Sequence, residues 1–308
     1  YSSSAPANNR LPLNLTNLVT VTNNFFFDYI PAPSVYSTFS GTVYNDVLGT
    51  GVNTGQAGLN NVTIDLVQDV NSNGAVDLGE PVAGSAVTDV NGNYSISGVT
   101  PGNYVLRENV PFGYYRSGDS QPPNDAQIAI VTTNGIVATN NNFFARLSPT
   151  AVNDTNSTTY FAPVTINPLI NDLSPNGDAL TISNAASAFG LVIINPGVTN
   201  LTFTPTNTGV ATISYTLIDA HGGISSAIIT VGVSPAPLTI TAISTNKVYG
   251  QTITFAGTEF TATGLTNGDT VGGVTLTSVG AVNTAVVGSY AIIPSAAVGS
   301  GLANYTIT

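Results

Sequence analysis

The sequence has 308 residues and 42% hydrophobic content, enough for two or three domain cores, yet only 7% of it is charged and its formal net charge is −11. Its basic residues, Arg10, Arg107, Arg116, Arg146 and Lys247, are too few and too scattered to track a nucleic-acid backbone, whereas an acidic surface suits divalent cations. With no cysteine it has neither a disulfide framework nor a cysteine zinc site, and no run approaches the roughly 20 apolar residues of a membrane-spanning helix.

Short alternating runs, punctuated by Asn-Gly, Pro-Gly and Gly-Gly, recur along the whole chain, and helical periodicity is almost absent. The pattern predicts an all-β protein of tandem Ig-like or prealbumin-like β-sandwich modules in an extended array. Tyr1-Ser-Ser-Ser followed by Thr22-Asn-Asn-Phe-Phe-Phe is echoed by Tyr115-Arg-Ser-Gly followed by Thr139-Asn-Asn-Asn-Phe-Phe. Residues 1–33 therefore read as the closing part of a preceding module, with Phe25-Phe26-Phe27 on its last strand, and the sequence is expected to be an excerpt of a longer chain. Proline-marked linkers at Pro31-Ala-Pro33, Ser148-Pro149 and Ser234-Pro-Ala-Pro237 set the other boundaries, at 34–147, 148–235 and 236–308, and predict semi-rigid junctions.

In the first complete module, Val62, Ile64 and Leu66 alternate with Thr63 and Asp65, Tyr94 and Ile96 alternate with Ser95 and Ser97, and Asn91-Gly-Asn-Tyr94 reads as a hairpin turn. Between two such strands, residues 69–80 satisfy a twelve-residue calcium-loop pattern at every position. Calcium takes six to eight hard oxygens, and this spacing wraps Asp69, Asn71, Asn73, the Ala75 carbonyl, Asp77 and a two-oxygen Glu80 around one point, with Gly74 at the sharp bend. The flanks read as strand, so the loop is no helix-loop-helix sensor. An ion-free, Asn- and Asp-rich surface turn is the plainer alternative.

Three stretches resemble known families. Gly41-Thr-Val-Tyr-Asn-Asp46, Gly58-Leu-Asn-Asn-Val-Thr-Ile-Asp-Leu66, Thr88-Asp-Val-Asn-Gly-Asn-Tyr94, Pro101-Gly-Asn-Tyr-Val105 and Pro111-Phe-Gly-Tyr114 resemble the calcium-binding B-type repeat of serine-aspartate adhesins, a Cna-B-like prealbumin-type sandwich. That resemblance implies a second calcium loop from Asn45-Asp46, but Leu48, Thr50, Thr54 and Ala57 stand at its ligand positions. Asp46, Asp89 and Asn91 remain as single candidate ligands. It also implies a lysine-asparagine isopeptide bond in some members, which this module cannot form because it has no lysine.

Ala151-Val-Asn-Asp154, Pro168-Leu-Ile-Asn-Asp172, Asn176-Gly-Asp-Ala-Leu180, Phe203-Thr-Pro205 and Tyr215-Thr-Leu-Ile-Asp-Ala-His-Gly-Gly223 resemble a cadherin-like, VCBS-type bacterial Ig-like repeat. The resemblance implies junctional calcium ligands at Asp154, Asn171, Asp172, Asp178 and Asp219. Leu238-Thr-Ile-Thr-Ala242, Lys247-Val-Tyr-Gly250, Gly264-Leu-Thr-Asn-Gly-Asp269, Val287-Gly-Ser-Tyr290 and Asn304-Tyr-Thr-Ile-Thr308 resemble an MBG domain of YGX type, a domain of large bacterial surface proteins that normally has one more strand.

Catalysis has little to draw on. His221 is the only histidine and reads as a turn residue, and Asp269 with Glu259 is a conceivable but isolated glycosidase-like carboxylate pair. The expectation is a non-enzymatic, secreted or cell-surface module array of a bacterial fibre or adhesin stalk, stiffened by Ca2+. Its expected partners are neighbouring modules or copies of itself, and surface glycans or host or bacterial surface proteins; nucleic acid and a membrane span in this segment are not expected. Two alternatives are a ligand- or carbohydrate-binding adhesin region and a filament subunit that donates the strand Leu15 to Tyr29 to its neighbour.

Overall fold

A computed structural model describes residues 36–123, 125–133 and 135–308. The partial module read at 1–33 and the proposed donor strand lie outside them. The chain divides into two compact units, the first made of the described residues up to 44 with 58–109 and 119–143, the second of 45–57, 110–118 and 144–308.

Among the described residues up to 147 there are ten strands: β1 (Ser37–Asn45), β2 (Ala57–Gly58), β3 (Thr63–Gln68), β4 (Val82–Val87), β5 (Asn93–Val99), β6 (Gly102–Asn109), β7 (Tyr114–Asp119), β8 (Gln127–Thr132), β9 (Val137–Ala138) and β10 (Phe143–Leu147). One sheet of the first unit runs β4-β3-β6-β8; in the other, β5 and β9 pair with β1. Alternation does what the sequence requires of it: Val62, Ile64 and Leu66 are at most 1% exposed, and Tyr94 and Ile96 turn inward while Ser95 and Ser97 face solvent. With Phe39, Val43, Leu106, Ile128 and Phe143 they form the core of the first unit.

The Asn91–Tyr94 turn is not a hairpin. The Gly92 N–H closes a turn onto the Asp89 carbonyl at 3.0 Å, but the strands on either side belong to different sheets, β4 pairing with β3 and β5 with β1. Gly92 has φ +78° and lies so close to the Val43 carbonyl and Gly58 that no side chain fits, so the turn packs against β1, which then captures β5 in the register Thr42↔Asn93.

In the second unit, β11 (Asp154–Thr159), β12 (Val164–Ile166), β13 (Leu180–Ala186), β14 (Gly190–Ile194), β15 (Leu201–Pro205), β16 (Gly209–Asp219) and β17 (Ile224–Ser234) form two sheets, β11-β17-β16-β13 and β12-β15-β14. Every second residue of β16 from Ala211 to Asp219 is buried, and Ile213, Tyr215 and Leu217 meet Leu201, Phe203, Ile229 and Val231 in one core. Only Pro235 separates β17 from β18 (Ala236–Ala242), so the expected linker is a strand-to-strand step with Ala236 already buried. β19 (Phe260–Thr263) and β22 (Tyr305–Ile307) flank β18, and β20 (Thr270–Thr277) pairs with β21 (Ile293–Ser300). This last core is small. Leu238, Ile240, Val274, Leu276 and Tyr305 build it together with Tyr160 from the end of β11.

Candidate metal centre

The acidic loop 69–80 joins β3 to β4, which are paired from Thr63↔Val87 to Val67↔Val82, so it is a hairpin loop on a rigid base. Asp69 is 6% exposed; its Oδ1 accepts the Asn73 N–H at 3.1 Å and its Oδ2 the Gly74 N–H at 2.8 Å. Glu80 closes the other end, Oε1 accepting from the Val70 N–H and Oε2 from the Asp77 N–H, both at 2.9 Å. Between them the side-chain amides of Asn71 and Asn73 converge on Asp77 Oδ2 at 2.6 and 2.7 Å. Their amide oxygens accept the backbone N–H groups of Asn73 and Ala75 at 3.1 and 2.9 Å, which fixes the orientation of both amides. Gly74 at φ +79° and Ser72 at φ +60° supply the bends.

Among the described residues the ion pairs are those of Arg107, Arg146 and His221, and none reaches Asp69, Asp77 or Glu80. Nor do three acidic or histidine side chains alone meet at one point among the described residues. The donors of this loop are carboxylates interleaved with amides and a carbonyl, a set whose chemistry fits a hard divalent cation.

The single candidates are engaged in their own turns. Asp46 is fully buried and accepts from the Thr50 and Gly51 N–H groups and from Gln56. Burial alone would raise its carboxyl, but the hydrogen bonds from Gln56, Ser117, Gly51 and Thr50 outweigh that and hold it below the usual carboxylate range. Asp89 Oδ1 accepts both the Asn91 and Asn93 N–H groups at 2.8 Å, and these bonds keep its carboxyl low.

The five positions implied by the cadherin-like resemblance fall into two clusters. Asp154, Asn171 and Asp172 gather near Tyr215, whose hydroxyl lies 3.0 Å from either Asp172 oxygen, while the Val152 N–H donates to Asp172 Oδ1 at 2.7 Å. Burial and then the Asp172 charge push the Asp154 carboxyl up, against the hydrogen bonds from Tyr215 and Asn171. Burial and the same carboxylates also raise the Tyr215 phenol. Two carboxylates thus repel each other across a shared hydroxyl.

Asp178 and Asp219 belong to the other cluster. Asp178 Oδ2 accepts from Arg146 Nη2, and Oδ1 lies 3.1 Å from His221 Nδ1. Asp219, 5% exposed, accepts the His221 and Gly223 N–H groups and the Tyr115 hydroxyl. His221 is in a turn, as its sequence context indicates, but its ring is used. Sequence reasoning missed Arg146 and Tyr115; the available signal was a charged residue inside the apolar run Phe143-Phe-Ala-Arg-Leu147.

The conceivable catalytic pair is otherwise occupied. Asp269 Oδ2 accepts the Tyr160 and Tyr305 hydroxyls at 2.8 and 2.9 Å, and Glu259 accepts the N–H groups of Ala256, Gly257 and Thr258. A cleft of about 520 Å³ in the last module is lined by Lys247, Tyr249, Phe255 and Tyr290, among others.

Fold and side-chain placement define a modular all-β protein of tandem β-sandwich domains. Residues 49–142 match the SpaA family of prealbumin-like fold domains, residues 147–232 the Big_9 family of bacterial Ig domains, and residues 238–308 the MBG_2 family, MBG domain of YGX type. The order is the one expected from the motifs. No curated protein matches the chain.

Similar solved structures include a nucleoside hydrolase-related hypothetical protein from Saccharophagus degradans, at 18% identity over 28% of this chain and 26% of that one, with a TM-score of 0.24. The minor pilin of Streptococcus agalactiae is 19% identical over 37% of this chain and 45% of that one, with a TM-score of 0.25. The major pilin subunit of Bacillus cereus is 11% identical over 89% and 98%, with a TM-score of 0.29. The chain spans less than half of the first two of these structures.

Proposed function

We propose that this chain is a structural, non-catalytic part of a bacterial extracellular fibre or adhesin stalk, held at or outside the cell surface and stiffened by calcium in the 69–80 loop. The observation that carries the reading is the succession of three β-sandwich modules of prealbumin-like, Ig-like and MBG type. Their acidic side chains, in the turns and junctions described above, are committed to hydrogen bonds within the fold rather than aimed at a substrate. Such a protein works through length, stiffness and resistance to unfolding, and neighbouring modules or copies of itself are its natural partners.

Calcium enters through the 69–80 loop, where Asp69, Asn71, Asn73, Ala75, Asp77 and Glu80 would hold it and where no cation among the described residues pairs with the carboxylates. Asp154 and Asp172, with Asn171 beside them, are a second and weaker place for a cation to relieve carboxylate repulsion. At millimolar extracellular calcium, a site of millimolar to submillimolar affinity stabilises the folded module by roughly 0.4–1.4 kcal/mol.

Pulling single molecules by their ends tests the mechanical reading. Successive high-force unfolding steps are expected, and the step assigned to the first module should weaken in chelator. A chain that extends smoothly at low force is no strut. The tyrosine-lined cleft of the last module favours a second reading, binding of a surface glycan or protein, which a glycan array would detect.

A further inference from the structure

Resemblance to cadherin-like repeats assigns Asp178 and Asp219 to a divalent cation, but the second unit gives both other partners. Arg146, on β10, has a side chain only 1% exposed. Its Nη1 donates to the Val47 carbonyl at 2.5 Å and to the Asp46 carbonyl, and its Nη2 donates to Asp178 Oδ2. Asp46 in turn closes the 45–57 loop through the Thr50 and Gly51 N–H groups, so the guanidinium grips an already ordered turn.

On the opposite side Asp178 lies in the 174–178 turn, fixed by its N–H on Ser174 Oγ at 2.8 Å, and the Asn176 amide reaches the Leu147 carbonyl at 2.8 Å. The His221 ring, which covers the second oxygen of Asp178, is packed so closely on Gly49 that a Cβ there would overlap it. Asp219 is filled by two backbone N–H groups and the Tyr115 hydroxyl.

What separates this site from the 69–80 loop is the cation: a fixed guanidinium beside a carboxylate repels a second positive charge. Arg146 presents that charge permanently, with planar donors suited to one carboxylate and two carbonyls. We infer that Arg146 is a built-in cation that locks the 45–57 loop and β10 onto the Ig-like module without calcium. The inference deepens the structural reading above and rests on it for its purpose: this junction stays stiff when calcium is scarce.

The chain has no native cysteine, so two can be introduced and spin-labelled specifically. Labels at Asn53→Cys and Ala179→Cys, both exposed and both within the second unit, report the loop-to-module distance by pulsed electron resonance. The full chain is expected to give one narrow distance distribution, unchanged between excess calcium and excess chelator. Arg146→Met, which keeps bulk and removes charge, is expected to broaden it severalfold in both conditions. Should that variant fail to fold, Asp178→Asn gives the same readout with a smaller perturbation.

Broadening of the unsubstituted chain by chelator alone overturns the inference, as does a narrow distribution in both variants. These distances do not depend on where the protein resides or how it bears load. A low-force result in the pulling experiment would therefore remove the fibre reading and leave the lock standing.

Discussion

Asp46 shows how much one side chain can organise. It is fully buried with an ionised carboxylate, which is tolerable only because the Thr50 and Gly51 N–H groups and Gln56 surround it. These bonds hold its carboxyl below the ordinary aspartate value, so its contribution to stability is complete above about pH 4 and is lost as pH falls through the lower, folded-state value. Protection of the 45–57 loop amides, taken against their intrinsic exchange rate at each pH, is therefore expected to fall below about pH 4, before that of β16 and β17. Equal exchange in loop and strands across that range would contradict it. The sequence marked Asp46 only as a possible calcium ligand, because Gln56 and the turn amides come together through the fold and carry no motif of their own.

At the scale of an element, the loop 69–80 is a tight hairpin excursion whose first and last carboxylates already hold its ends. Glu80→Gln keeps the size and one acceptor oxygen but removes the charge and the paired oxygens that calcium prefers in the closing position. Titration calorimetry is expected to show calcium affinity at least about tenfold weaker in this variant, with the unliganded melting temperature changed little. No heat of calcium binding in the unsubstituted chain would remove the metal from the account. As an oxygen-rich turn this loop was legible because its polar side chains are local, at nearly alternate positions of one short segment. The turn at Asn91–Tyr94 was legible as a turn only, since whether the next strand pairs back or crosses to another sheet depends on β1, about fifty residues earlier.

Across the whole molecule, the two compact units have separate cores, one around Phe39, Ile64, Leu106 and Phe143, the other containing the Ig-like core and the smaller one that shares Tyr160. Two calorimetric transitions are expected, and calcium should raise the one that belongs to the first unit by more than the other. A single transition, or an equal shift of both, would contradict this assignment. Within the second unit the middle and last modules are joined by more than chain continuity. The Tyr160 and Tyr305 rings meet edge to face at 5.4 Å and share Asp269, and Asn304 accepts from Thr208.

By itself the sequence determined the all-β class, the three modules and their order, and the inward faces of the strands, because each depends on residue alternation or on spacing within a short segment. Only the tertiary structure decided which carboxylates are already used. Asp178, Asp219 and Asp269 find Arg146, Tyr115, Tyr160 and Tyr305 across sequence separations of about 30 to 110 residues. Contacts of that range are set by how sheets stack and modules meet, and no local pattern records them.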